Sequence, residues 1–264
     1  MFELRESRFG VYLAPSADSP LWRFGCDVIG RDATTGRRLR GFAPEGYSPE
    51  AWRELTSEPR RYGFHATLKA PFRLRADLDV PDLIDRMGAL ARGFAPFEAG
   101  ELTVGAFEAG EGRSFVVLRP VGVCANLKEL EAAGVRKLDV LRAPLNQSER
   151  ARRNGQRLTP RQRYYMDAWG YPYVIDEFRP HFTLTNPIAD ADSAARALRR
   201  EFDFRVSLKT WRVDALTLFV ESEPGRDFRV LRRFPLRGSV GSKSRPRRDA
   251  SAELVRWASI RSIV

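Results

Sequence analysis

Histidine and cysteine are nearly absent from this chain, with two of each among 264 residues. Cys26 and Cys124 lie far apart and outside any CxxC spacing, which excludes a disulfide framework and a cysteine zinc site. Both are expected to be buried thiols in a reducing compartment. No run of about 18 apolar residues occurs, so no membrane span is expected. The first ten residues carry charges of both signs and lack an apolar stretch, which reads as a cytoplasmic protein. There is no GxxxxGK[ST] loop to cradle a nucleoside triphosphate. At 43% hydrophobic residues, the chain can still bury one substantial core or two small lobes.

Negative charge is the other shortage, but it is local. Glu149 to Arg163 hold six arginines against one glutamate, and residues 238–264 hold six Lys/Arg against two acidic residues. Those two segments carry nine of the eleven net positive charges, so the body of the chain is nearly neutral. The tail reads as a flexible basic extension. For the arginine-rich insertion, near residues 144–163, two readings stand level: a solvated loop, or a basic arm that attracts an anionic substrate or tracks a nucleic-acid backbone.

The two histidines open similar phrases, His65-Ala66-Thr67-Leu68-Lys69-Ala70-Pro71-Phe72 and His181-Phe182-Thr183-Leu184-Thr185-Asn186-Pro187-Ile188. Strand geometry projects alternate residues from one face. His65, Thr67 and Lys69 would line a polar face over Phe64, Ala66, Leu68 and Ala70. Arg179, His181, Thr183 and Thr185 would do the same over Pro180, Phe182 and Leu184. A lone HxT is weak, whereas two copies holding every histidine in the chain propose acid/base chemistry.

Other features repeat with the histidines. Leu102 to Arg119 and Leu216 to Arg232 each read as a strand, a Gly-containing turn and a strand. A helical pattern lies between each His strand and its hairpin, seen in Leu83, Ile84, Met87, Leu90 and Ala91 and again from about Asp192 to Phe202. A strand from Phe9 to Pro15 precedes the first unit, and a helix bearing Leu127, Leu130, Leu138 and Leu141 bridges to the second. Thr159-Pro160-Arg161-Gln162 is a capping box that predicts a helix carrying Tyr164, Tyr165 and Trp169 to about Gly170, a candidate lid. Mixed strands and helices with hairpin connections argue for an α+β architecture with helices covering the outer sheet faces.

The paired His65-x-Thr67-Leu68 and His181-x-Thr183-Leu184 motifs resemble the 2H phosphoesterase superfamily. The longer phrases Arg61-Tyr62-Gly63-Phe64-His65 and Phe178-Arg179-Pro180-His181, with Tyr12-Leu13-Ala14-Pro15 and Leu21-Trp22-Arg23-Phe24-Gly25, resemble a bacterial branch associated with phosphonate-degradation operons. The resemblance runs from Phe9 to Leu236. It implies one domain over residues 1–237 made of two pseudo-symmetric lobes of antiparallel sheet, set at about 1–110 and 111–237. A central cleft between the lobes would carry both HxT motifs. It also implies metal-independent cleavage of a phosphodiester, often cyclic, with His65, His181, Thr67 and Thr183 in the site.

The chemistry can be argued from the side chains. Opening a cyclic phosphodiester needs a base for the incoming water and an acid for the departing oxygen. Two facing imidazoles with ordinary values near 6.5 supply both. Two threonines can donate to the non-bridging oxygens. By parity, Lys69 and Arg179 are candidates for further phosphate contact, and Tyr12 and Tyr62 for the border of the cleft. Neither HxT phrase contains an acidic residue, so no metal or other cofactor is expected. The expected partner is a small phosphorylated sugar or nucleotide, with a ribosyl cyclic phosphate in phosphonate catabolism as the specific case and no membrane involved. The competing reading is an RNA-binding or RNA-end-processing protein that uses the basic loop and an aromatic lid.

Overall fold

The computed structural model describes residues 6–147, 149–150 and 158–238. Most of the basic tail and the centre of the arginine-rich insertion lie outside these residues. Eight strands form one sheet: β1 (Arg8–Leu13), β2 (Ala66–Phe72), β3 (Phe97–Gly110), β4 (Arg113–Pro120), β5 (Phe182–Thr183), β6 (Thr210–Val213), β7 (Ala215–Glu221) and β8 (Arg229–Pro235). Their spatial order is β6-β3-β4-β5-β2-β1-β7-β8, and every neighbouring pair is antiparallel. The two His strands therefore meet at the centre, with three strands beyond each.

This order corrects the expected lobes. The boundary at 110/111 falls in the turn between β3 and β4, and each half of the sheet draws on both halves of the chain. The hairpin that follows the first His strand, β3–β4, joins the second His strand, while β7–β8 flank β1 and β2. Repeated sequence marks the units. Which sheet half each hairpin completes is decided by long-range pairing.

Helix starts follow local capping chemistry. In α1 (Pro20–Ile29) the Ser19 hydroxyl accepts from the Trp22 N–H, and Gly30 closes the helix in the left-handed region. Two short helices, α2 (Pro49–Leu55) and α3 (Ser57–Tyr62), lead into β2. Asp79 and Asp82 cap α4 (Val80–Arg92) reciprocally. The helices α5 (Ala125–Leu138), α6 (Pro160–Trp169) and α7 (Ala191–Arg205) follow. The expected Thr159–Gln162 capping box opens α6.

One buried core joins the helices to the sheet. Ala66, Leu68, Leu118 and Phe182 are all at most 1% exposed, and Gly134 of α5 approaches Leu68 so closely that a Cβ would sit 2.4 Å from its methyl carbon. Phe64 stacks on Phe182 at 4.7 Å. The expected division of the His phrases into an apolar side and a chemical side holds at these positions. Cys26 is buried, whereas Cys124 is only half-buried.

Candidate active site

Register brings the two motifs together. Ala66 pairs with Phe182 across β2 and β5, so antiparallel counting sets His65 opposite Thr183 and Thr67 opposite His181. Directly opposed residues share a face, with Cβ atoms about 5 Å apart. The two histidines and two threonines thus make one square on the face turned away from Ala66 and Phe182.

Both imidazoles are tied back in the same manner. His65 Nδ1 lies 2.8 Å from the Gly63 carbonyl oxygen, and His181 Nδ1 lies 2.7 Å from that of Arg179. A carbonyl only accepts, so each Nδ1 carries the proton of the neutral ring and each Nε2 is the acceptor. The Thr67 hydroxyl donates to His65 Nε2 at 3.3 Å. Gly63 makes the first tie possible: its φ of +83° is in the left-handed region, and a Cβ there would meet Ala33 at 2.6 Å.

The surroundings of the rings differ. Tyr12, fully buried, stacks on His65 with centroids 3.7 Å apart, and Phe219 flanks the pair at 5.9 Å from the imidazole. Tyr62 is half-buried, stacked on Phe228 and 6.4 Å from His65. Burial pushes the His65 imidazole down to about 4, against the pull of its bond to Gly63, and the neighbouring His181 lowers it further. His181 stacks on Phe107 at 5.0 Å, and burial lowers its value as well. Arg179 is exposed, its guanidinium 5.8 Å from the Phe107 ring centre.

One expected site residue, Lys69, and one residue expected on the polar face, Thr185, lie elsewhere. Lys69 is 4% exposed and pairs with Asp139 at 2.8 Å, where Arg142 also binds. Its ammonium is a structural cation that ties β2 to the end of α5, and it is not offered to a phosphate. Thr185 is fully buried, and its hydroxyl accepts from the Val116 N–H at 2.9 Å. Alternation fails there because β5 is only two residues long, after which the N–H groups of Leu184 and Thr185 converge on the Val116 carbonyl.

The approach to His181 is pinned from α5. Glu131, fully buried, accepts from the Ile175 N–H at 3.0 and 3.2 Å and holds that β-branched residue at φ +59°. On α6, Tyr165 is buried with Val135 and Val174, whereas Tyr164 is exposed. The former is therefore a packing residue. Sequence reading missed Phe107, Phe219 and Gly10. A signal for Gly10 existed, since Tyr12 needs an empty position two residues away to lie flat along β1.

The family described as "Protein of unknown function (DUF1045)" matches residues 67–229, well over half of the chain. The chain belongs to the DUF1045 family. Two curated relatives are each named "Ribose 1,5-bisphosphate phosphokinase PhnN". The protein from Janthinobacterium sp. (strain Marseille) is 32% identical over 245 residues, covering 91% of this chain and 53% of that protein. The protein from Laribacter hongkongensis (strain HLHK9) is 36% identical over 225 residues, covering 85% and 51% respectively. This DUF1045 chain thus spans about half the length of the curated relatives it matches. Solved structures similar to it include TT0787 of Thermus thermophilus, with 19% identity, a TM-score of 0.42 and coverage of 88% of this chain and 99% of that one. E. coli LigT complexed with 3'-AMP has 15% identity and a TM-score of 0.38, with coverage of 88% and 98%.

Proposed function

We propose that this DUF1045 protein is a phosphoesterase that hydrolyses a cyclic phosphodiester in a small phosphorylated sugar. The observation that carries the reading is the Ala66–Phe182 register, which gathers both HxT motifs into one square with each imidazole tied to a carbonyl through Nδ1. His65, neutral down to about pH 4, is the base: its Nε2 takes a proton from water as the water oxygen bonds to phosphorus. His181 is the acid: its Nε2 gives a proton to the sugar oxygen as the P–O bond on the opposite side breaks. Thr67 and Thr183 donate to the non-bridging oxygens, whose negative charge steadies the imidazolium. Proton exchange with water resets the pair. Among the described residues no three His, Cys, Asp or Glu side chains gather in a group able to hold a metal ion.

The specific substrate in this reading is a ribosyl 1,2-cyclic phosphate. Opening it at the 2-oxygen yields a ribose 1-phosphate, and the curated relatives are named for a kinase acting on ribose 1,5-bisphosphate. Their kinase name itself is not carried over, because this chain has no GxxxxGK[ST] loop. No helix among the described residues is long and apolar enough to cross a membrane. The test is a panel of ribose 1,2-cyclic and nucleoside 2',3'-cyclic phosphates assayed with chelator present. Turnover is expected in chelator and lost in both His65→Ala and His181→Ala. Turnover that chelator abolishes, or that both variants retain, overturns the mechanism.

A further inference from the structure

Beside the His65 half of this site, two arginines share one buried carboxylate. Glu221 is fully buried and binds Arg8 through Oε2 and Arg61 through Oε1 at 2.5 Å. Oε1 also accepts from the Gly225 N–H at 3.1 Å. Two guanidiniums against one carboxylate leave one positive charge in excess, on side chains only 14% and 24% exposed. A shielded charge in excess is unfavourable unless an anion completes it.

Unpartnered donors stand around that charge. Arg61 Nε and the Tyr12 hydroxyl are both buried without a hydrogen-bond partner. The Tyr12 ring folds back along β1 over Gly10, where a Cβ would lie 2.4 Å from its Cζ and 2.6 Å from its hydroxyl oxygen. Arg8 is the next residue on that face, directly across from Glu221. One end of Tyr12 therefore stacks on the His65 imidazole while its hydroxyl lies over Gly10, on the side of Arg8. Phe228 backs the group, stacked on Tyr62 and 5.7 Å from the Arg8 guanidinium carbon.

We propose that Arg8 and Arg61, with the hydroxyls of Tyr12 and Tyr62, hold a second, unreacting phosphomonoester of the substrate. A dianion with three terminal oxygens suits two guanidiniums that keep further N–H groups after serving Glu221. Tyr12 is the spacer: its ring lies beside the reacting ester and its hydroxyl reaches the second phosphate. The assignment deepens the two-histidine reading and rests on it for the word substrate, but the anion site can be tested alone.

The test measures binding of ribose 5-phosphate, which has the phosphomonoester and no scissile diester, by titration calorimetry. Wild type is expected to bind it, Arg61→Gln and Tyr12→Phe to weaken binding about tenfold or more, and Arg200→Gln, at an exposed surface ion pair with Glu45, to leave Kd unchanged. Tyr12→Phe keeps the test sound if Arg61→Gln folds poorly, because it deletes only an oxygen that has no partner in the free protein. Absence of binding to wild type, unchanged Kd in Tyr12→Phe, or inorganic phosphate binding as tightly as ribose 5-phosphate overturns the assignment. In turnover, wild type should prefer a 5-phosphorylated ribosyl 1,2-cyclic phosphate about a hundredfold in kcat/KM over the unphosphorylated compound. Equal turnover of the two overturns the second site and leaves the histidine mechanism standing. Turnover of neither, with binding as expected, overturns the hydrolase reading and leaves the anion site standing.

Discussion

His65 and His181 occupy matching places on adjacent strands, yet their neighbourhoods have little in common. Both send Nδ1 to a carbonyl two residues earlier, and both stack on an aromatic ring. In the first half that ring is Tyr12, which pairs in register with Thr67; in the second half the residue in register with Thr183 is Val117, and the stacking ring comes from Phe107 on the next strand. The first half adds Arg8, Arg61 and Glu221, while the second adds one exposed arginine, Arg179. The Nδ1 tie and the stacked ring are common to both halves, while the rest of the lining differs. In the proposed reading the chemistry is shared between the halves, and recognition belongs mainly to the first.

The sharpest way to break that division is to remove each imidazole in turn. Each alanine variant should lose about 10²–10⁴-fold in kcat. A cyclic ester whose leaving group departs without a proton should restore much of the activity of His181→Ala and little of that of His65→Ala. Equal rescue of both would erase the assigned roles.

A smaller effect should appear with pH. The base must be neutral, so kcat/KM falls as pH drops through the His65 value of about 4. The acid must be protonated, so kcat/KM also falls as pH rises through the His181 value, which burial holds below the ordinary 6.5. The optimum for free enzyme should therefore lie between about 4 and 6.5, with a loss of about tenfold per pH unit above it. An optimum above 7 would contradict the burial of both rings.

The smallest contrast concerns two glycines. Gly10→Ala places a methyl 2.4 Å from the Tyr12 ring and should cost about 1–3 kcal/mol through overpacking, seen as a lower Tm. Gly105 lies across from Val117 in the other half, and the nearest atom to an added Cβ is 3.7 Å away. Gly105→Ala should shift stability by less than about 0.5 kcal/mol. Similar losses at both positions would show that the tyrosine stack is not what sets the halves apart.

Much of this was legible from spacing. The HxT phrases declared their strands because alternation of polar and apolar residues survives in local sequence, and Thr159 with Gln162 declared the start of α6 because capping is a contact over three residues. Lys69 was misplaced for the opposite reason. Parity gives a face but not the partner, and Asp139 lies 70 residues away. Thr185 failed because parity assumes that a strand continues, and β5 stops after Thr183. Arg61 stood inside the phrase from Arg61 to His65 but carried no signal of its own, since its partner Glu221 lies 160 residues away.

Repetition along the chain was enough to declare two equivalent units and their paired histidines, because short-range patterning is written residue by residue. The exchange of hairpins between sheet halves, the meeting of β2 with β5, the stacking of Tyr12 on His65 and the gathering of Arg8 and Arg61 on Glu221 were settled by tertiary structure. Those arrangements depend on contacts between segments far apart in the chain, and the free energy that selects among them comes from burying the assembled core, which no local window contains.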